Sequence, residues 1–361
     1  MGLLRFSSKA SRLALLIGAI FQTPLVEMNE ASDDTEKLSP VYQTLCPDPD
    51  YIYPCKCSIM APWGPDLNCS PVRSEEELRN VFNRTFEDHH LHFFTVQNNG
   101  ALRHLEAGTF GDVTFKSFFF TKGTLEAIEP NVFLGSRGFL QYLTLTHQNL
   151  RTFPFEEIRQ YGVLRTLSVE GNRFSAFPTL QSSTLENLDL SSNPISDIPV
   201  DGLKSLPNLY DFTCGDCGLT EIHPGTFTGF RRLSGLILRS NNLTHLPENM
   251  VQSDYYMVGV HVENNQISNV SAGAFTLGEG QKININLADN RLEQLEERVW
   301  RPYFEGGLTF LYAEGNPFSC GCEIAWLVTN SEFMGKLGGA ETCQDGRLLQ
   351  TLDPSYYEEM C

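Results

Sequence analysis

The sequence predicts an α/β solenoid, a right-handed stack of repeated coils with a parallel sheet along one side, and three observations carry that expectation. A pattern of the form L-x-x-L-x-L-x-x-N-x-L recurs ten times between Leu91 and Phe318. The copies begin at Leu91, Phe115, Leu140, Leu164, Leu185, Leu209, Leu233, Met257, Lys282 and Leu308, spaced 21–26 residues apart. Four cysteines precede this array and four follow it. Self-similarity at a period of about 20–29 residues marks an architecture in which no unit can cover its own apolar face and each must stack on its neighbours.

Each element follows from its position in the repeat, which is filled throughout in LENLDLSSNPISDIP (Leu185–Pro199) and LSGLILRSNNLTHLP (Leu233–Pro247). In L-x-L two apolar side chains alternate with outward ones, giving a short strand with one buried face. The Asn three residues later (Asn172, Asn193, Asn241, Asn265, Asn290, Asn316) turns inward, where its amide satisfies backbone groups that the bend would bury unpaired. Eighteen residues after each anchor a second apolar position recurs as Phe133, Ile158, Leu203, Phe227, Val251, Phe275 and Trp300, with Phe110 one residue late, and reads as a convex spine. Gly123 and Gln148 stand where Asn is expected, which predicts irregular but stacked coils. The fold class is a leucine-rich-repeat solenoid (horseshoe) with a parallel concave sheet and disulfide-stapled caps.

Residues 1–22 place Arg5, Lys9 and Arg12 before LALLIGAIF (Leu13–Phe21), the basic-then-apolar order of a secretory signal peptide. The apolar run is short for a membrane span, although an uncleaved anchor is the alternative reading. No later apolar stretch and no C-terminal tail are expected to hold the mature chain to a membrane. Its removal takes three basic residues and no acid, so the net charge goes from −18 to −21. Such a chain repels phosphate backbones and anionic lipid surfaces, which argues against nucleic-acid binding and peripheral membrane attachment. Residues 23–45 read as an acidic flexible leader, 46–90 as an N-terminal cysteine cap, 91–318 as ten repeats and 319–361 as a C-terminal cysteine cap. In a secreted chain an even set of cysteines at each end argues for disulfides that seal exposed core. Four cysteines allow three pairings, and a zinc site is the rival reading of each tetrad.

The flanks resemble the cysteine caps of extracellular leucine-rich-repeat proteins, most specifically in NPFSCGCEIAWL (Asn316–Leu327). That resemblance implies pairing of first to third and second to fourth cysteine: Cys46–Cys57, Cys55–Cys69, Cys320–Cys343 and Cys322–Cys361. VWRP (Val299–Pro302), CGCEIAWLV (Cys320–Val328) and LDPSYYEEMC (Leu352–Cys361) are similar to secreted arthropod proteins related to the non-catalytic leucine-rich subunit of oplophorus-type luciferase. This narrower resemblance implies an accessory partner, with chemistry on another polypeptide.

Cys214-Gly-Asp-Cys217 has the C-x-x-C spacing of a redox pair or half a metal site. Its register places Cys214 at the second inward strand position and Cys217 at the Asn position, so core packing is favoured over a local disulfide, and both over redox or metal chemistry. Asp88-His89-His90-Leu91-His92 concentrates three histidines that could bind zinc or copper, but no further ligand has suitable spacing, and a solvated approach to the first strand is favoured. No HExxH, GxSxG, Walker or dinucleotide motif is present, so neither an enzyme nor a cofactor is expected. Asn83, Asn242 and Asn269 head sequons open to N-glycosylation, whereas Asn68 adjoins a cysteine expected in a disulfide.

Function is therefore expected on the concave sheet, where ten strands give a strip of about 43 Å, long enough for a protein partner. Its outward residues are Phe93, Phe119 and Tyr142 at one end; Asn187, Asp189, Asp211, Thr213 and Asp216 centrally; and Ile237, His261, Glu263, Asn284, Asn286, Phe310 and Tyr312 at the other. Aromatics flanking an acidic centre suit a partly basic protein. An accessory subunit of a secreted complex is the first reading. A recognition ectodomain, for innate immunity or extracellular matrix, is the second, and an unrecognised enzyme is the third.

Overall fold

The computed structural model describes residues 46–361 apart from 61–63, 85, 87–88, 256 and 279. The expected signal peptide and leader lie outside the described residues. Alternating burial along each copy of the repeat produces one twelve-stranded sheet. In order its strands are β1 (Lys56–Met60), β2 (Gly64–Asn68), β3 (His90–Gln97), β4 (Thr114–Thr121), β5 (Tyr142–Thr146), β6 (Thr166–Ser168), β7 (Asn187–Asp189), β8 (Asp211–Thr213), β9 (Gly235–Ile237), β10 (Met257–His261), β11 (Lys282–Asn286) and β12 (Leu308–Tyr312). Only the β1–β2 pair is antiparallel; all later pairs are parallel. The ten expected strands thus gain two from the N-terminal cap, where β2 pairs Asp66 with Phe93 and extends the sheet past the first repeat.

The turn after each strand is a second regular feature. The residue seven places after each anchor has positive φ in all ten repeats: Asn98, Lys122, His147, Gly171, Ser192, Asp216, Ser240, Asn264, Asp289 and Gly315. From Asn98 to Asp289 its amide donates to the carbonyl preceding the equivalent residue of the next coil, as in Ser192 N to Gly215 O at 2.8 Å and Asp216 N to Arg239 O at 3.0 Å. Pairing therefore continues around the bend, which a left-handed residue must turn.

The ladder Asn follows this residue. Asn193 donates to Val169 O, Leu190 O and Ser191 O at 2.9, 2.9 and 3.1 Å and accepts from Phe174 N at 3.1 Å. Asn172, Asn241, Asn265, Asn290 and Asn316 make the corresponding bonds, and Asn99 opens the ladder by accepting from Ala101 N and Leu102 N. Gly123 and Gln148 complement each other. A Cβ on Gly123 would lie 2.5 Å from Gln148 Oε1, so the longer amide fills the space left by the missing side chain and accepts from Leu125 N. The expected irregularity is absent there, and β4–β5 pairing is continuous.

The spine residues are buried, and Phe227, Val251 and Phe275 lie on a small parallel convex sheet, while Trp300 lies on the helix Glu297–Glu305. The disulfides are Cys46–Cys57, Cys55–Cys69, Cys320–Cys343 and Cys322–Cys361, as the cap resemblance implies, plus Cys214–Cys217. This last bond corrects the reading of Cys214 and Cys217 as separate core thiols: both are fully buried, but they are joined. Facing inward on one tight bend, they are brought within bonding distance by the same register that buries them. In the N-terminal cap, Ser74 accepts from Glu77 N and Glu77 accepts from Arg73 N, fixing the start of the helix Glu75–Phe82. Phe82 then seals the first coil against Phe86, Phe94, Phe110 and Phe115. At the other end the buried Glu341 accepts from Gly338 N, Gly339 N and Ala313 N, taking the place of the next ladder amide.

Candidate protein-binding face

The side chains between the inward positions of β3–β12 form rows across the sheet. At its N-terminal end the Phe93 and Phe119 rings stack at 6.3 Å and are half-buried, with Tyr142 alongside on β5. Asp66, which the repeat template could not find because it lies in the cap, borders Phe93 on β2 and accepts from Thr95 Oγ1 at 2.8 Å. Burial raises its carboxyl above the ordinary range.

The acidic centre is partly tied into the sheet. Asp189 is half-buried, and its carboxylate accepts from Ser191 N at 3.0 Å and Ser168 Oγ at 3.4 Å. Burial raises its carboxyl, partly offset by these bonds and by the charge of Arg239. Asp211 is also half-buried and raised by burial, with the Gly235 backbone as its opposing hydrogen bond. Asp216 departs from expectation. It is exposed at the left-handed turn after β8 and lies outside the strand rows.

Toward the C-terminal end His261 is exposed, with Nδ1 3.7 Å from Glu263 Oε2. Burial works to raise the Glu263 carboxyl, yet the His261 ring, its own backbone and the charge of Arg239 hold it below the ordinary 4.5. Asn284 and Asn286 continue the rows to Phe310 and Tyr312, whose rings lie 6.2 Å apart and are 42% and 39% exposed. Among the described residues the most accessible aromatic pair on the repeats thus stands at this end, opposite the half-buried Phe93, Phe119 and Tyr142.

The other candidates separate. His89 pairs with Asp112 at 3.1 Å, His90 meets Thr114 Oγ1 at 2.6 Å and His92 packs near Gly64; the His90 and His92 rings share Phe139 as an apolar neighbour, but His89 and His90 meet different polar groups. No group of three or more metal-ligating residues occurs among the described residues. Asn83, Asn242 and Asn269 are exposed, Asn83 capping a helix and Asn269 beginning a short lateral strand; Asn68 instead accepts from Ser70 N beside the buried Cys69.

Comparison with known proteins places this geometry. The Leucine Rich Repeat family profile matches residues 184–206. The chain is 36% identical over 332 residues to the Oplophorus-luciferin 2-monooxygenase non-catalytic subunit of Oplophorus gracilirostris, covering 91% of each. The chain belongs to the leucine-rich-repeat family of that subunit. Lumican of Gallus gallus is 30% identical over 161 residues, 43% of this chain and 45% of lumican. Among solved structures, a chain in the octameric complex of Latrophilin 3, Unc5D and FLRT2 aligns with a TM-score of 0.66 at 19% identity, covering 83% of this chain and 97% of that one, which shows the shared fold. The non-enzymatic reading of the sequence agrees with this kinship, and the leucine-rich-repeat solenoid is the fold of the family.

Proposed function

We propose that this chain is a secreted, non-catalytic accessory subunit that holds a protein partner against its concave sheet. The observation that carries the reading is the match over 91% of both chains to a subunit whose name places catalysis elsewhere. Five disulfides fit an oxidising, extracellular site of action, and no described helix is long and apolar enough to cross a membrane. The partner presents a basic segment to Asp189 and Asp211, between Phe119 and Tyr142 at one end and Phe310 and Tyr312 at the other. Glycans on Asn83, Asn242 and Asn269 would stand off these rows and leave the face open.

The test is native mass spectrometry of the chain purified from the fluid into which it is secreted, with wild type compared to Asp189→Lys/Asp211→Lys. A stoichiometric partner on wild type, lost from the double variant, is expected. Equal recovery on both removes the concave face from the proposal, and a chain that emerges alone favours the recognition-ectodomain reading.

A further inference from the structure

Two glycines sit side by side on the concave face, Gly235 on β9 and Gly259 on β10, paired in register. Glycine weakens a strand interior, so each calls for a reason. Gly235 has one: a Cβ there would lie 2.1 Å from Asp211 Oδ1, so its bareness lets the Asp211 carboxylate lie across the neighbouring strand. Among the described residues nothing supplies such a reason for Gly259. Its φ is not in the left-handed region, and among the described residues a Cβ would meet nothing nearer than His261 Nε2 at 3.7 Å and Ser234 O at 3.8 Å, which is ordinary contact. The strand would accept a larger residue, yet this position is left as a pit.

The surroundings of the pit select what fills it. The Asp211 carboxylate borders it across Gly235, His261 stands on the same strand, Asn284 adjoins it in register on β11, and Phe310 follows Asn284 on β12. Acceptors next to a carboxylate, with exposed aromatic faces about 10 Å away across two strand spacings, match a cationic head on a long apolar stem. The protein as a whole is anionic, with net charge −18, which favours approach of such a group. We infer that Gly259 is the floor of a subsite for a lysine or arginine side chain of the docked protein, with Asp211 as its counter-charge and Phe310 and Tyr312 as contacts for the flanking chain. This rests on the concave-face reading above and specifies where on that face the basic partner is gripped.

The probe is a fluorescein-labelled nonapeptide with one central arginine flanked by glycine and serine, with the neutral isostere citrulline as its control. Binding is read by anisotropy at about 150 mM salt, where long-range attraction to an acidic surface is screened. Wild type is expected to prefer arginine over citrulline at least tenfold. Gly259→Val fills the pit with a strand-favouring side chain, should leave the thermal midpoint unchanged or higher, and should abolish the preference, as should Asp211→Asn. Asp201→Asn, at an exposed turn outside the strand rows, should retain it. Absence of a preference in wild type, or its survival in folded Gly259→Val, overturns the subsite. Loss of the native partner from Asp189→Lys/Asp211→Lys but not from Gly259→Val would keep the concave face and reject this subsite, so the two failures are distinguishable.

Discussion

Asn193 commits its whole amide to backbone groups buried at the bend, donating to three carbonyls and accepting from Phe174 N. Asn193→Ala is expected to cost about 2–4 kcal/mol, because several buried groups lose partners together, and a urea midpoint measurement checks it. Asp211 gives a prediction of opposite sign. Burial raises its folded-state pKa above the ordinary 3.8, so its ionisation opposes folding at neutral pH, and that penalty is relieved as the pH falls through the raised value. Asp211→Asn should therefore raise the thermal midpoint at pH 7, with the difference shrinking toward pH 4; a constant difference would show that charge is not the cause. Six ladder amides are legible in the sequence from their offset alone. Asn99 shares that offset from Leu91 and completes the set. The left-handed turn is harder to read, because Lys122 and His147 occupy it beside the Asn, Asp, Ser and Gly that suit such backbone.

At the scale of single coils, substitutions that weaken the repeat template are compensated in space. Gly123 and Gln148 are adjacent rungs, and Gly123→Ala would force a Cβ to 2.5 Å from Gln148 Oε1 and 2.9 Å from Asn99 O. A loss of about 1–3 kcal/mol is expected, recovered in part by shortening Gln148→Ala in the same chain. Cys217 fills the ladder position of its coil with a disulfide to Cys214 in place of an amide. A bond joining residues only 3 apart restrains the unfolded chain little, about 2 kcal/mol by loop closure, against about 4 kcal/mol for Cys322–Cys361 with its separation of 39. Removing Cys322–Cys361 should lower the urea midpoint more than removing Cys214–Cys217. The sequence register placed Cys214 and Cys217 in the core but did not show that they are bonded, because periodicity reports which way a side chain points and not how far it lies from the next.

For the molecule as a whole, the periodic array and the cap disulfides were legible and the cap strands were not. The template begins at Leu91, so the two cap strands that extend the sheet, and Asp66 on one of them, carry no repeat signal. The rows of the concave face followed from the strand period, but their accessibility did not. Depth depends on neighbouring coils, which leave Phe93 and Phe119 half-buried and Phe310 and Tyr312 exposed. The central claim, that a protein partner lies on this face, is tested most directly by hydroxyl-radical footprinting of the chain alone and in its native complex. The account predicts protection of Phe310, Tyr312 and Tyr142 in the complex, with Tyr53 and Tyr356 on the caps, 75% and 58% exposed, oxidised at the same rate as in the free chain. Unchanged oxidation of Phe310, Tyr312 and Tyr142, with protection appearing on the cap tyrosines, would contradict it.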